Sequence, residues 1–219
     1  MLRNLMNVLK KGDLVDQAVK ETAVMFNDAK AVFTEAVVSL KNKCEPDFDI
    51  YKRDRQINDA EKSIRRKVLE NMSINPRQDI VASLILTSII IDIERIGDYS
   101  KNVYELTKLC TKKSDRIDDE LFQMADSIAS QFDALNQALV EGSTQIGQSI
   151  MDTLDPIRKQ SEKYICTVAS QKEITVEEAV INVLFARYLK RVAAHLENIA
   201  SSIANPFDRI GFYKKQEIE

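Results

Sequence analysis

The chain has 219 residues, of which 30% are charged and 44% are hydrophobic, with only five glycines and four prolines. This composition excludes a disordered chain and favours long helices over sheets with many tight turns. The net charge of −3 gives no electrostatic reason to expect DNA or RNA as a partner. The cysteines have unrelated spacings, which fit neither a disulfide framework nor a zinc module and agree with a reducing cytosol. They are Cys44, Cys110 and Cys166.

Six long helices are predicted from the spacing of apolar residues and from helix start and stop signals. Apolar side chains recur every three or four residues over 15–36 and over 121–139, which is typical of helices that pack in a bundle. Pro46 and Pro76 mark helix boundaries, and residues 175–178 have the sequence of a capping box. The predicted helices span residues 2–43, 47–72, 76–111, 115–141, 144–169 and 176–204.

Neither the N-terminal region nor the longest apolar run predicts a membrane span. Residues 2–11 mix basic with apolar side chains, which is too interrupted for a signal peptide and predicts at most a small amphipathic hook. The apolar run from Ile80 to Ile93 contains Asp92 and falls short of the ~20 residues that a span needs. We therefore expect a soluble cytoplasmic protein that is peripheral to a membrane at most.

The stretch from Asp92 to Asn102 carries the most informative side chains of the sequence. Glu94, Asp98 and Asn102 are four residues apart, so they share one face of a helix. Like charges at this spacing destabilise an isolated helix by about 0.2–0.5 kcal/mol per pair. The two carboxylates therefore indicate that a cation or an external hydrogen-bond donor faces them.

A neighbouring helix is expected to bring further oxygen ligands to the same face. If the second and third helices form an antiparallel hairpin that turns near residue 74, Asp54 lies level with Glu94, and Asn58 follows one turn along. Glu61 would lie about 10 Å from Glu94 along the axis, which makes it a weaker candidate. Carboxylate and amide oxygens suit hard or borderline cations. The candidate metal ligands are therefore Asp54, Asn58, Glu94 and Asp98.

Other interpretations of this acidic face stay open. Arg53, Arg55 and Arg95 are close to the acids in sequence and would form an ordinary surface ion network with them, which contributes little to stability. Contact with an anion or a protein partner is a third interpretation. No Cys or His accompanies the carboxylates, so a zinc-finger type of site is not expected.

The two halves of the sequence look like one three-helix unit used twice. At an offset of 96 residues, Asn198 matches Asn102, and an arginine and two apolar residues match as well. The acidic pair is lost, because Lys190 and Ala194 stand where the first half has its two carboxylates. The second half is therefore expected to be a degenerate copy of the first.

The second half is expected to hold an internal ion pair in place of a metal. Lys190 is predicted to lie level with Asp155 and within about a turn of Asp152. His195 is the only histidine, and we interpret it as a packed or surface residue, with a ligand role as the alternative. A di-iron oxidase is not expected, because such sites use Glu-x-x-His pairs and Val192 precedes His195 by three residues. No nucleophile motif or glycine-rich phosphate loop indicates another enzyme.

The sequence resembles the PhoU family, which comprises bacterial and archaeal regulators of phosphate uptake. The resemblance rests on the Glu-Arg-Ile-Gly-Asp block at 94–98, on the piece at 53–61 and on the opening Leu-Arg-Asn-Leu. It implies an all-α fold of two tandem antiparallel three-helix bundles with long helices. The first repeat would cover residues 1–112, and the second, degenerate repeat would cover residues 113–219.

The resemblance also implies a metal site. Family members carry acidic pairs on the second and third helix of each repeat, and several hold iron or zinc clusters there. Carried over residue by residue, this implies iron, zinc or another divalent cation at Asp54 and Asn58 of one helix and at Glu94 and Asp98 of the next. Asn58 departs from the usual carboxylate, and the second repeat keeps at most Asp155, so a full two-cluster pattern is not expected.

The function implied by the resemblance is that of a non-enzymatic cytosolic adaptor. Such a protein links a phosphate transporter to the phosphate-sensing histidine kinase and represses the phosphate regulon when phosphate is plentiful. The expected partners are the transporter, the kinase or both, with no nucleic acid, and a homodimer is compatible with this role. Two alternatives are an accessory domain of a sodium-dependent phosphate cotransporter and a plain helical scaffold without a metal.

Overall fold

The helices of the computed structural model begin and end close to the breaks in the sequence pattern. The structure describes residues 13–74, 80–110 and 116–211, and within these ranges it contains six α-helices and no β-strand. The all-α prediction is confirmed. The helices are α1 (Asp13–Asn42), α2 (Ile50–Ile74), α3 (Ile80–Glu105), α4 (Asp119–Glu141), α5 (Thr144–Ser170) and α6 (Val176–Ala204). Residues 2–12 of the first predicted helix, the predicted amphipathic hook and the predicted domain boundary after residue 112 lie outside the described residues.

Local signals explain where the helices of the second half begin and end. α4 is followed by Gly142, whose φ of 62° lies in the left-handed region that glycine adopts without strain. Ser143 caps α5, because its hydroxyl accepts a hydrogen bond from the Ile146 amide at 3.3 Å. α6 begins with the capping box of Thr175 and Glu178, as the sequence predicts. These caps fix the short connections that fold α4, α5 and α6 back on one another.

The first three helices pack around α1. This helix contacts both α2 and α3, and its apolar face is buried at the positions expected from the three-and-four spacing. The largest fully buried side chains of the bundle come from all three helices. They are Met25, Phe26, Phe33, Leu40, Ile50, Ile57, Ile64, Ile85, Ile90 and Ile93.

The last three helices pack around α6, which contacts α5 and α4. The two bundles share one continuous apolar core, because α3 also packs on α6 and α1 packs on α4. Phe132 of α4 is fully buried and lies against two rings of α1, with ring centroids 5.5 Å from Phe26 and 5.6 Å from Phe33. The repeats are therefore joined by apolar packing as well as by the chain between them.

Equivalent positions of the two repeats face each other where α3 meets α6. Tyr99 and His195, which are 96 residues apart, stack with ring centroids at 5.8 Å and an interplanar angle of 21°. The Asp92 carboxylate lies 2.7 Å from Nδ1 of His195 and accepts a hydrogen bond from the Asn198 side chain at 3.1 Å. Tyr188, the equivalent of Asp92, lies against Tyr99. An approximate two-fold axis therefore passes between the helices, and His195 is a packed residue of this interface.

The apolar run from Ile80 to Ile93 forms the N-terminal half of α3 and supplies much of its buried face. Among the described residues, no helix is both long enough and apolar enough to cross a lipid bilayer.

Two glycines mark the places where helices approach most closely. A Cβ added to Gly147 of α5 would stand 3.0 Å from the backbone oxygen of Ala200 in α6. A Cβ on Gly97 of α3 would stand 3.1 Å from Cδ1 of Ile57 in α2, which is the end of a flexible side chain. The backbone atom cannot move without shifting a whole helix, whereas the methyl group can rotate away.

We predict that Gly147→Ala destabilises the protein more than the matched control Gly97→Ala. The first change should lower the free energy of unfolding by about 1–3 kcal/mol through overpacking, even though alanine favours a helix over glycine by about 1 kcal/mol. The second should be near neutral. Urea unfolding of both variants measures this difference, and equal values or the reverse order would contradict the close approach of α5 and α6.

Candidate functional site

Four carboxylates of α2 and α3 lie together on one side of the first bundle. We call Asp54, Glu61, Glu94 and Asp98 the α2–α3 acidic patch. Asp54 and Glu61 are buried, with only 7% and 9% of their surfaces exposed. Burial raises the pKa of Glu94, the neighbouring Asp98 raises it further, and Glu61 and Asp54 act in the same direction against the opposing effect of Arg95. The hairpin of α2 and α3 thus concentrates negative charge in a partly dehydrated place.

The register of this hairpin differs from the one predicted from the sequence. The predicted hairpin sets Ile57 level with residue 91 of α3. In the structure, Ile57 lies against Gly97 instead. By the same register, Glu61 lies level with Glu94. Asp54 lies level with the part of α3 that is about six residues beyond Glu94. The prediction that Asp54 lies level with Glu94 was wrong, although both acids belong to the α2–α3 acidic patch. Glu61 also belongs to it.

Lys101 bridges the two aspartates of the patch. Its ammonium nitrogen donates to Oδ2 of Asp54 at 2.9 Å and to Oδ1 of Asp98 at 3.0 Å. The Lys101 side chain is only 20% exposed. Burial acts to lower the pKa of Lys101, but the hydrogen bonds to Asp54 and Asp98 and the charges of both aspartates outweigh it and raise the pKa. The lysine therefore stays charged at neutral pH and joins α2 to α3.

Two arginines pair with the remaining acids at the rim of the patch. Arg95 lies 3.3 Å from Glu94 and 3.2 Å from Asp98, and Arg65 lies 2.8 Å from Glu61. Both arginine side chains are about half exposed, at 51% and 48%. Ion pairs at such exposure contribute about 0–1 kcal/mol each. Of Lys101, Arg95 and Arg65, Lys101 is therefore the cation that is best shielded from solvent.

The structure brings three of the four predicted metal ligands into the patch. Asp54, Glu94 and Asp98 lie there, and Asn58 is half-buried one turn from Asp54 on α2. Of the three arginines considered from the sequence, Arg95 takes part, whereas Arg53 pairs with Asp28 of α1 at 2.5 Å. An ion network is thus present, although its central cation is a lysine that the sequence analysis did not consider.

The patch as arranged does not fit a metal ion. Within residues 13–74, 80–110 and 116–211, no group of three or more His, Cys, Asp or Glu side chains is placed to hold one. An ion between Asp54 and Asp98 would have to displace the ammonium of Lys101. Binding of iron, zinc or another divalent cation at Asp54, Asn58, Glu94 and Asp98 stays a prediction, and it would require Lys101 to move.

The second repeat carries a corresponding ion pair with the charges exchanged. Glu197 of α6 stands 96 residues after Lys101, is only 6% exposed and lies 2.5 Å from Arg158 of α5. Burial raises the pKa of Glu197, against the lowering effect of the hydrogen bond from Arg158. The first repeat places a cation of its third helix against an acid of its second helix, Asp54, and the second repeat does the reverse.

Lys190 forms an ion pair, but with a different partner from the one predicted. It pairs with Glu162 of α5, whereas Asp155 pairs with Lys159 one turn along the same helix. Helical side chains lean towards the N-terminus of their own helix, so long side chains on antiparallel helices meet at positions offset from the level ones. Asp152 accepts a hydrogen bond from Gln148 of its own helix.

Comparison with known proteins places the chain in a family. The model of the PhoU domain matches residues 15–107 and again residues 121–203, so the two matches together cover most of the chain. The chain belongs to the PhoU family. The two matched segments correspond to the bundle of α1–α3 and the bundle of α4–α6. The precise boundary between the repeats, predicted after residue 112, stays a prediction.

Individual PhoU proteins resemble the chain along most of its length. The phosphate-specific transport system accessory protein PhoU homolog of Synechocystis sp. is 23% identical over 203 residues, which is 90% of this chain and 85% of that protein. The crystal structure of the phosphate transport system regulatory protein PhoU from Streptococcus pneumoniae matches with a TM-score of 0.76 at 16% identity, over 86% of this chain and 92% of that one. The crystal structure of PhoU from Pseudomonas aeruginosa matches with a TM-score of 0.77 at 17% identity, over 87% and 95%. These similarities to solved structures show the PhoU fold.

The charged residues that complete both ion networks were not predicted from the sequence. Lys101 lies three residues after Asp98, a spacing that places both side chains on one helix face. This spacing alone indicates an ion pair between them. Glu61 was judged a weaker candidate only because the predicted register of the hairpin differs from the one that the contact of Ile57 with Gly97 shows. Glu197 and Arg158 are far apart in sequence, and only the packing of α5 on α6 brings them together.

We predict that Glu94→Gln stabilises the protein at pH 7 by about 0.5 kcal/mol, because it removes a carboxylate that is repelled by its neighbours. The pKa of Glu94 is raised above its ordinary 4.5 in the folded state, so its charge carries a cost above the raised pKa. Below the ordinary value of 4.5 the carboxyl is protonated in both states, and the gain should disappear.

Urea unfolding at pH 7 and at about pH 4 measures this effect. Glu70→Gln is the matched control, because Glu70 is exposed on the neighbouring helix α2 and should show no such pH-dependent gain. An equal effect of Glu94→Gln at both pH values would contradict the burial and repulsion assigned to Glu94.

Proposed function

We propose that this protein is a non-enzymatic cytoplasmic regulator of phosphate uptake and phosphate homeostasis, which acts by binding a component of a phosphate transport system. The observation that carries this proposal is the match of the PhoU domain to both halves of the chain. The relative in Synechocystis sp., which aligns with 90% of this chain, is itself named as an accessory protein of phosphate-specific transport. The partner is the phosphate transporter, the phosphate-sensing histidine kinase or both.

The arrangement of polar groups supports a binding role over catalysis. In the described part of the chain, the carboxylates of the α2–α3 acidic patch pair with basic side chains of the same protein. A general acid or base has to be free to exchange a proton with a substrate. A cleft of about 670 Å³ lies elsewhere, at the open end of the second bundle, and exposed residues such as Lys172 and Glu173 line it. Helical surfaces of this kind suit contact with another protein.

Deletion of the gene tests the proposed function in the organism. At plentiful phosphate, the deletion strain should show raised expression of phosphate-starvation genes. Phosphate uptake should change in parallel. The wild-type gene should restore both values, whereas a Phe132→Asp variant, which places a charge in the shared core, should not. Unchanged expression and unchanged uptake in the deletion strain would contradict the proposal.

Co-purification distinguishes the possible partners. The tagged full chain should retain the transporter or the kinase from membranes solubilised in mild detergent. Retention of a sodium-dependent phosphate cotransporter alone would favour the role of an accessory domain instead. If the chain retains none of these proteins and its deletion changes neither gene expression nor phosphate uptake, the interpretation as a plain helical scaffold would be favoured.

A further inference from the structure

The position between Asp54 and Asp98 is where one cation contacts carboxylates of both helices of the α2–α3 acidic patch. The two aspartates come from different helices, and their side chains are 10% and 30% exposed. In a site with oxygen ligands, a divalent cation would lie between such carboxylates. Here the ammonium group of Lys101 holds that position with two hydrogen bonds, at 2.9 and 3.0 Å.

We propose that Lys101 is the built-in cation of the α2–α3 acidic patch, so that the first repeat of this chain closes its acidic face without a metal ion. The inference concerns the packing of α2 on α3 and does not depend on the proposed function.

The geometry excludes simultaneous binding of the lysine and a metal ion between the same two aspartates. The ammonium group already contacts one oxygen of each carboxylate. A divalent cation placed among those oxygens would be within a few ångströms of the ammonium, and two cations at such a distance repel strongly in a partly buried place. A metal ion can enter only if Lys101 leaves.

The second repeat supports the same principle with an independent pair. At the position equivalent to Lys101 it has Glu197, and this buried acid is neutralised by Arg158. The positions equivalent to Glu94 and Asp98 are Lys190 and Ala194, which leave no acidic pair on that face. In both repeats, therefore, the charge on the third helix meets an opposite charge that the protein itself supplies on the second helix.

The experiment removes the ammonium group and asks whether a metal ion replaces it. Lys101→Met keeps an unbranched apolar stem and leaves Asp54 buried without its cation. The full-length variant, stripped of metal with a chelator, should melt several degrees below the wild type. Addition of Zn²⁺ or Mn²⁺ at about 100 times the dissociation constant should raise its melting temperature by about 5 °C or more, with one ion bound per chain.

Three proteins serve as comparisons. The melting temperature of the wild type should rise by less than about 1 °C with either ion. This is smaller than the rise expected when a specific site is saturated with metal. Lys62→Met removes an exposed lysine that pairs with Asp59 on α2, and it should behave as the wild type does. The double variant Lys101→Met with Asp54→Asn should lose the response to metal and recover part of its stability, because no buried carboxylate is left unpaired.

Two results would overturn the proposal. The first is stoichiometric binding of Zn²⁺ or Mn²⁺ to the wild type that Asp54→Asn abolishes, measured by isothermal titration calorimetry. The second is a folded Lys101→Met variant that gains no stability from either ion. If Lys101→Met fails to fold, calorimetry on the wild type and on Asp54→Asn decides the question, and Lys101→Arg should still fold without metal because it keeps the positive charge.

Discussion

The contact of Ile57 with Gly97 sets the register of α2 and α3, and the arrangement of the acidic patch depends on it. Gly97 lets the two helices approach until a Cβ at its position would be only 3.1 Å from the Ile57 side chain. At this separation Lys101 reaches Asp54, and Glu61 lies near Glu94. A wider spacing would admit water between the charges and weaken the ion pair of Lys101 with Asp54, which joins the two helices. The glycine of the Glu-Arg-Ile-Gly-Asp block thus serves the electrostatics through packing.

The helices were predictable from the sequence, because apolar periodicity and capping residues are local signals. The register of the hairpin was not, because it depends on where the turn is centred. The predicted hairpin sets Ile57 level with residue 91, whereas Ile57 lies against Gly97, so the part of α3 that is level with Asp54 moves by six residues, which is about 9 Å. The same error set Asp54 level with Glu94 and placed Glu61 too far from Glu94. Local pattern therefore identified the acidic helices, and the packing of Ile57 on Gly97 decided which acids meet.

The charged faces of the two repeats follow one physical rule with opposite signs. A partly buried charge is costly unless a partner neutralises it at short distance. Lys101 satisfies this requirement for Asp54 and Asp98, and Arg158 satisfies it for Glu197. Because the rule concerns neutrality and not the sign of a particular side chain, the repeats can differ in sequence here while their helices pack in the same way. This explains how the second repeat lost its acidic pair and still belongs to the PhoU fold.

The stacking of Tyr99 on His195 has a consequence for the history of the chain. Two equivalent positions that touch across an approximate two-fold axis have the geometry of an isologous contact, in which one surface patch meets a copy of itself. A polypeptide half this long, carrying one aromatic residue at that place, would pair with its own twin through the same face. Gene duplication followed by fusion would turn such a homodimer into a single molecule. Once fused, each half could acquire substitutions separately, which would account for the different residues at equivalent positions such as Tyr99 and His195, or Lys101 and Glu197.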